Sequence, residues 1–240
     1  MWTIAGLRLT AARMAWPRGA GTVLALSLLA ACTPKAALLQ ALVPDGTLSV
    51  VMSHLEKEND SNRRRVVELE ARKDWDGLAK FAEENIARDR NTANWWLVAG
   101  YAHAQAGRKQ RAIECYGEMV RITPDDMLGW NLLAQAYRDA KQPQRAVQAL
   151  SNAHLVSKGT AETWFLLGES YSDLDRYLPA AAAYRESIKM NGEFVQAWFG
   201  VGRAYARLNR RAEFEQALKT LERLSPPLAK ELAEMRPASR

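Results

Sequence analysis

Three histidines and two cysteines are the side chains of this sequence best suited to metal or nucleophilic chemistry. His54, His103 and His154 stand far apart, and none has a second ligand type at helical spacing, so no metal site is expected from them. No Ser/His/Asp or Cys/His grouping that would activate a nucleophile can be assembled from the order of the residues. Gly200-Val201-Gly202 echoes a phosphate-cradling glycine loop, but it falls inside a helical stripe where small residues serve packing. Cys115 precedes an aromatic packing position, Tyr116, and is expected to be half-buried. Neither a catalytic residue nor a cofactor nor a small-molecule substrate is therefore expected. The chemistry that remains is modification of Cys32 and non-covalent recognition.

Cys32 ends an uncharged apolar run, Gly19 to Ala31, that is too short for the ~20 residues a membrane-spanning helix needs. Arg8, Arg13 and Arg18 precede the run and small residues close it, the layout of an export signal. Leu29-Ala30-Ala31-Cys32 resembles a bacterial lipobox. That resemblance implies cleavage before Cys32, acylation of its thiol and amino group, and a membrane anchor. Thr33 in place of Asp implies the outer membrane, facing the periplasm. Met14 is an alternative start that would give a compact signal. Residues 1–31 are thus expected to be a lipoprotein signal peptide and 32–47 the lipidated cysteine and a tether.

The elements that position everything downstream are announced by tryptophan. Trp96, Trp130, Trp164 and Trp198 recur every 34 residues. Four residues after each comes a small one, Gly100, Ala134, Gly168 and Gly202, and seven after come Tyr137, Tyr171 and Tyr205, with His103 in the first copy. Sixteen after lie Ala112, Ala146 and Ala180, and twenty after lie Tyr116, Leu150, Tyr184 and Leu218. Residues four and seven apart share one helical stripe, so the Trp, small residue and Tyr form one face of a first helix. The small residue lets a second helix approach, and each indole is expected to be buried between neighbouring repeats. The stripe breaks near Gly107, Lys141, Asp175 and Asn209, and Pro143 and Pro179 follow in the first turn of a second helix.

This pattern resembles the tetratricopeptide repeat, whose signature runs Trp–Leu–Gly–Tyr–Ala–Phe–Ala–Pro and whose period is 34 residues. The resemblance implies an all-α fold, a right-handed α-solenoid of about five helix-turn-helix repeats with a capping C-terminal helix. Residues 93–126, 127–160, 161–194 and 195–227 would be full repeats. Residues 48–92 would hold an N-terminal capping helix and a degenerate repeat, and 228–240 a C-terminal capping helix and tail, with Pro226-Pro227 stopping the last repeat. Terminal repeats are atypical because one side faces water.

In such arrays the first helices line a concave groove that holds peptides or partner helices. The inward positions fall on Leu97, Tyr101, Leu128, Asn131, Gln135, Arg138, Glu162, Phe165, Glu169, Phe199 and Arg203. Leu97 and Tyr101 stand where a two-carboxylate clamp would carry Lys and Asn, so that clamp is absent. The formal charge of +6 falls to +3 without the three leader arginines, and the basic C-terminal residues interleave with Glu213, Glu215, Glu222, Glu231 and Glu234. This is a solvated helix face, and no nucleic-acid partner is expected. The architecture resembles type IV pilus pilotins and small outer-membrane assembly lipoproteins. The expected function is a membrane-anchored scaffold for protein or peptide partners in envelope assembly. A regulatory adaptor of cell-wall or polysaccharide enzymes is the alternative, and a groove-based enzyme a more distant one.

Overall fold

The computed structural model describes residues 47–56 and 58–237; the export signal, Cys32 and the tether before residue 47 lie outside the described residues. These residues form α1 (Thr47–His54), α2 (Asp60–Ala71), α3 (Trp75–Arg88), α4 (Ala93–Gln105), α5 (Lys109–Ile122) and α6 (Met127–Asp139). There follow α7 (Pro143–Val156), α8 (Ala161–Ser172), α9 (Tyr177–Met190), α10 (Val195–Arg207), α11 (Arg211–Leu224) and α12 (Pro226–Ala233), with no strand among the described residues.

Several helix starts, those of α2, α3, α6 and α8, are set by side chains that satisfy the orphan N–H groups of a first turn. Asp74 accepts from Gly77 N at 2.8 Å, Asp126 from Leu128 N at 2.9 Å, and Thr160 forms a reciprocal box with Thr163. Helix ends within each hairpin share one device. Lys73, Gly107, Lys141, Asp175 and Asn209 all have positive φ, between 54° and 75°. The next residue's N–H then bonds five residues back, as in Arg108 N to His103 O and Gln142 N to Tyr137 O, both within 2.9 Å. This is a Schellman end, in which a left-handed residue turns the chain and recovers a carbonyl.

The hairpins close through a small-against-aromatic fit. A Cβ on Gly100 would stand 2.5 Å from the Tyr116 ring, and one on Gly168 would stand 2.6 Å from that of Tyr184. Tyr184 also presses against Gly200 of the next first helix, so one ring is held between glycines of two repeats. Ala112, Ala134, Ala146 and Ala180 are buried at the equivalent seams. Gly202 departs from the pattern, because Leu232 of α12, not Leu218, fills the space above it. The α2–α3 hairpin has Val66 where the others have the small residue, and its helices pack far less closely. Stacked in line, the hairpins make an α-solenoid with a terminal capping helix.

Three details differ from the sequence expectation. The repeat tryptophans Trp96, Trp130, Trp164 and Trp198 are half-buried, not enclosed. The indole N–H of Trp96, Trp130 and Trp198 donates to Arg90 O, Pro124 O and Gly192 O, six residues upstream, so each ring clasps the loop between repeats. Trp164 stacks instead on His154 with ring centroids 4.0 Å apart. A polar N–H keeps the ring at the loop, where its donor finds a partner. Pro226 and Pro227 begin α12, because proline is tolerated where a first turn has no N–H to lose. Cys115 is buried, and burial pushes its thiol up to about 12. Of the remaining packing residues, Tyr205 is buried and Tyr137 and Tyr171 are half-buried.

Candidate functional site

The 34-residue period writes two rows along the first helices. Leu97, Asn131, Phe165 and Phe199 form one, and Tyr101, Gln135, Glu169 and Arg203 form the other. The structure treats the two ends of these rows differently. Leu97, Tyr101 and Phe165, expected on the groove surface, are instead core residues, each 5% exposed or less. Leu97 and Tyr101 share a buried cluster with Val51 and Leu55 from the N-terminal helix region. Phe165 is enclosed by Tyr184 and Phe194, with ring centroids at 5.9 and 5.1 Å. An apolar side chain on an inward position is buried whenever a neighbour can cover it. Leu128, Glu162 and Phe199 are half-buried.

The polar positions come together as a network across three repeats. Arg138 of α6 donates from Nη2 to Glu169 of α8 at 3.0 Å, from Nε to Asp173 at 2.7 Å and from Nη1 to Gln135 at 3.1 Å. Arg203 of α10 donates from Nη2 to the other Glu169 oxygen at 2.6 Å. Tyr184 rises from α9 between its two glycines and donates its hydroxyl to the same oxygen, with Ser172 Oγ 3.1 Å away. Glu169 is therefore the hub, taking donors from the preceding repeat, the following repeat and its own second helix. Burial works against the charge on Arg138, but the facing Glu169 and Asp173 carboxylates outweigh it and hold its pKa above the ordinary value. Burial, then the Glu169 charge, pushes the Tyr184 phenol well above its usual range.

Two buried polar atoms beside this network have no hydrogen-bond partner among the described residues: Asn131 Oδ1, an acceptor, and Arg203 Nε, a donor. The guanidinium of Arg203 also lies over the Phe199 ring, 5.4 Å from its centroid. Next to it opens a cleft of about 620 Å³ lined by Asp173, Tyr177, Arg203, Arg207 and Met235 among others. No group of three potential metal ligands is found among the described residues, and no helix among them is long and apolar enough to cross a membrane.

Family profiles described as tetratricopeptide repeat match residues 165–229 and 93–136. Residues 93–136 and 165–229 are built from tetratricopeptide repeats. Solved structures agree on the fold. A MamA protein is 21% identical over 78% of this chain and 92% of its own, with a TM-score of 0.56. YrrB, described as a tetratricopeptide-repeat protein with an unusual peptide-binding site, is 14% identical over 78% of this chain and 97% of its own, at 0.59. TTC0263, a protein of Thermus thermophilus, is 18% identical over 73% of this chain and 97% of its own, at 0.54. A comparison with curated proteins gives no match. Proteins of this repeat are interaction scaffolds.

Within the tetratricopeptide array, sequence reasoning missed Asp173, Ser172 and Tyr184 as members of the polar network. Asp173 stands one helical turn after Glu169 and could have been found from that spacing. The reach of Tyr184 from a second helix through to the first-helix face depends on Gly168 and Gly200 both lacking a Cβ, which only the packing shows.

Proposed function

We propose that the chain is a membrane-anchored scaffold that holds an extended segment of a partner protein across α6, α8 and α10. The observation that carries this reading is the pair of unsatisfied buried atoms, Asn131 Oδ1, one helical turn before Gln135 on α6, and Arg203 Nε on α10. A buried polar atom without a partner costs about 1–3 kcal/mol, so a ligand that supplies one is favoured. A peptide backbone offers an N–H for the first and a carbonyl for the second once the side chains that seal these atoms from water shift aside. Two steps between neighbouring helices at 8–10 Å cover about 16–20 Å, the length of roughly five or six extended residues. Because Glu169 and Asp173 already match Arg138 and Arg203, the face carries little free charge. A neutral segment with apolar side chains suits it better than an acidic tail.

The anchor is the acylated Cys32, and the setting is assembly of envelope machinery at the outer membrane. Supporting this are the apolar leader and the lipobox-like ending at Cys32. Acyl chains contribute about 0.8 kcal/mol per buried methylene, so several hold a protein on a bilayer almost permanently.

The groove is tested by selecting short peptides from a random library on the full chain. Neutral, apolar-rich peptides should be enriched and should lose affinity about tenfold with Asn131→Ala or Arg203→Met, the 1.4 kcal/mol of one hydrogen bond. Enriched peptides indifferent to both substitutions, or no enrichment at all, would sink the groove. For the anchor, Cys32→Ala should leave an unacylated precursor, and an unchanged mass and membrane fraction would refute it.

A further inference from the structure

Helix α1 is out of place for its register. The second helices end at Arg88, Ile122, Val156, Met190 and Leu224, 34 residues apart, and α1 ends at His54, one further step back. By sequence position it is the last half of a second helix in a preceding repeat. Such helices here pack on the first helix that directly follows, as α5 does on α6 and α9 on α10. Helix α1 touches α2, the first helix that follows it, only lightly, and also packs on α4 and reaches the start of α6. Its Val51 and the following Leu55 belong to the same buried cluster as Leu97 and Tyr101 of α4.

Its attachments are few and chemically specific. Val51 and Leu55 are 2% and 0% exposed, four residues apart on one stripe. Asn94 of α4 donates its amide to His54 O. The His54 ring places Nδ1 3.0 Å from Val50 O and aims Nε2 at Asp126 Oδ2, 3.5 Å away. Asp126 is also the N-cap of α6, so one carboxylate starts that helix and receives the histidine. The seat thus reads an apolar residue, a base three positions on, and a second apolar residue after it.

We infer that the face of α4 and the α6 N-cap is a second docking site, for a short amphipathic helix of a partner protein with this apolar–x–x–base–apolar pattern, and that α1 is its built-in competitor. The inference rests on the scaffold reading above, but concerns a helix site distinct from the extended segment on α6, α8 and α10. A few-residue tether holds α1 at an effective concentration on the order of millimolar, so a foreign helix gains the site only when α1 leaves or when its own contacts are stronger.

The probe is a labelled peptide of residues 44–58 of this chain, titrated by fluorescence anisotropy into the full chain and into its Val51→Asp/Leu55→Asp variant. The variant should bind at least about tenfold more tightly than the unaltered chain, since its own helix no longer competes. Asp126→Ala in the variant should weaken that binding. A folded variant that does not take the peptide overturns the inference. Should the variant not fold, amide exchange of the unaltered chain decides: α1 exchanging at least about tenfold faster than α4 supports a detachable helix, and the two exchanging together overturns it. A dimer of the unaltered chain that disappears in the variant would give the seat to α1 of a second copy and overturn the foreign helix. Because the probe is the chain's own helix, failure of the peptide-library selection leaves this outcome unaffected.

Discussion

At the scale of single residues, the array depends most on Glu169. Its carboxylate is 12% exposed and receives Arg138, Arg203 and Tyr184. A buried ion pair contributes little over an apolar replacement, but removing one partner strands the other. Glu169→Ala should therefore cost about 3–5 kcal/mol in urea melts, whereas Tyr184→Phe, which removes a single hydroxyl, should cost about 1–2. Equal losses would show that Glu169 is not the hub. The histidines make an opposed pair of pH effects. Burial, then the neighbouring Arg108, lowers the pKa of His103, and burial lowers that of His154. The unfolded chain then takes up those protons first, so their contribution is lost as pH falls below the ordinary 6.5. The Asp126 hydrogen bond raises His54, whose contribution is full below 6.5 and lost as pH climbs through its raised value. His103→Gln should flatten the acid loss of stability between about pH 7 and 5, and His54→Gln should flatten a loss on the alkaline side. An unchanged acid slope in His103→Gln would assign the loss elsewhere.

At the scale of elements, the turns and seams set the cost of change. Lys141 holds a left-handed conformation that costs an L-residue about 1–2 kcal/mol, against roughly 0.5–1 for the added freedom of glycine in the unfolded chain. Lys141→Gly should stabilise the chain by about 0.5–1 kcal/mol, more than Asn209→Gly, because asparagine tolerates that region better. A destabilised Lys141→Gly would mean its side chain makes a contact worth more than the strain. Gly168→Ala should do the reverse, costing at least about 1–3 kcal/mol, since the new methyl meets the enclosed Tyr184 ring. The periodic residues make these hairpins legible in the sequence, because a Trp, a small residue and a Tyr at fixed offsets leave one helical face to bury. The groove is less legible. Its polar residues Gln135, Arg138, Glu169 and Arg203 can be placed on the inward face by counting, but their mutual pairing depends on repeat-to-repeat rotation. The burial of Tyr101 comes with an edge-on contact to Trp75 of the preceding hairpin, ring centroids 5.8 Å apart, which counting along the sequence does not show.

At the scale of the whole array, repeats communicate only with neighbours, so stability varies along the chain with the quality of each seam. The central hairpin of α8 and α9 is joined to both sides, by Tyr184 held between Gly168 and Gly200 and by Glu169 held between Arg138 and Arg203. The first hairpin lacks the glycine-held ring, and its ion pairs to the next repeat, Asp76 with Arg108 and Glu83 with Arg111, come from α3 and leave α2 out. Val66 replaces the small residue, and α2 buries only Val66 and Leu69 of its twelve residues, whereas α8 buries eight of twelve. Regions with few buried apolar contacts open at lower free energy than the global transition. Among the hairpin helices, amide exchange of the full chain should therefore show α2 opening first and α8 last, with Glu169→Ala accelerating α6, α8 and α10 together while leaving α2 unchanged. Uniform exchange from α2 to α11 would mean the chain unfolds as one cooperative block, and the ion-pair network would then lose its role as the link between central repeats.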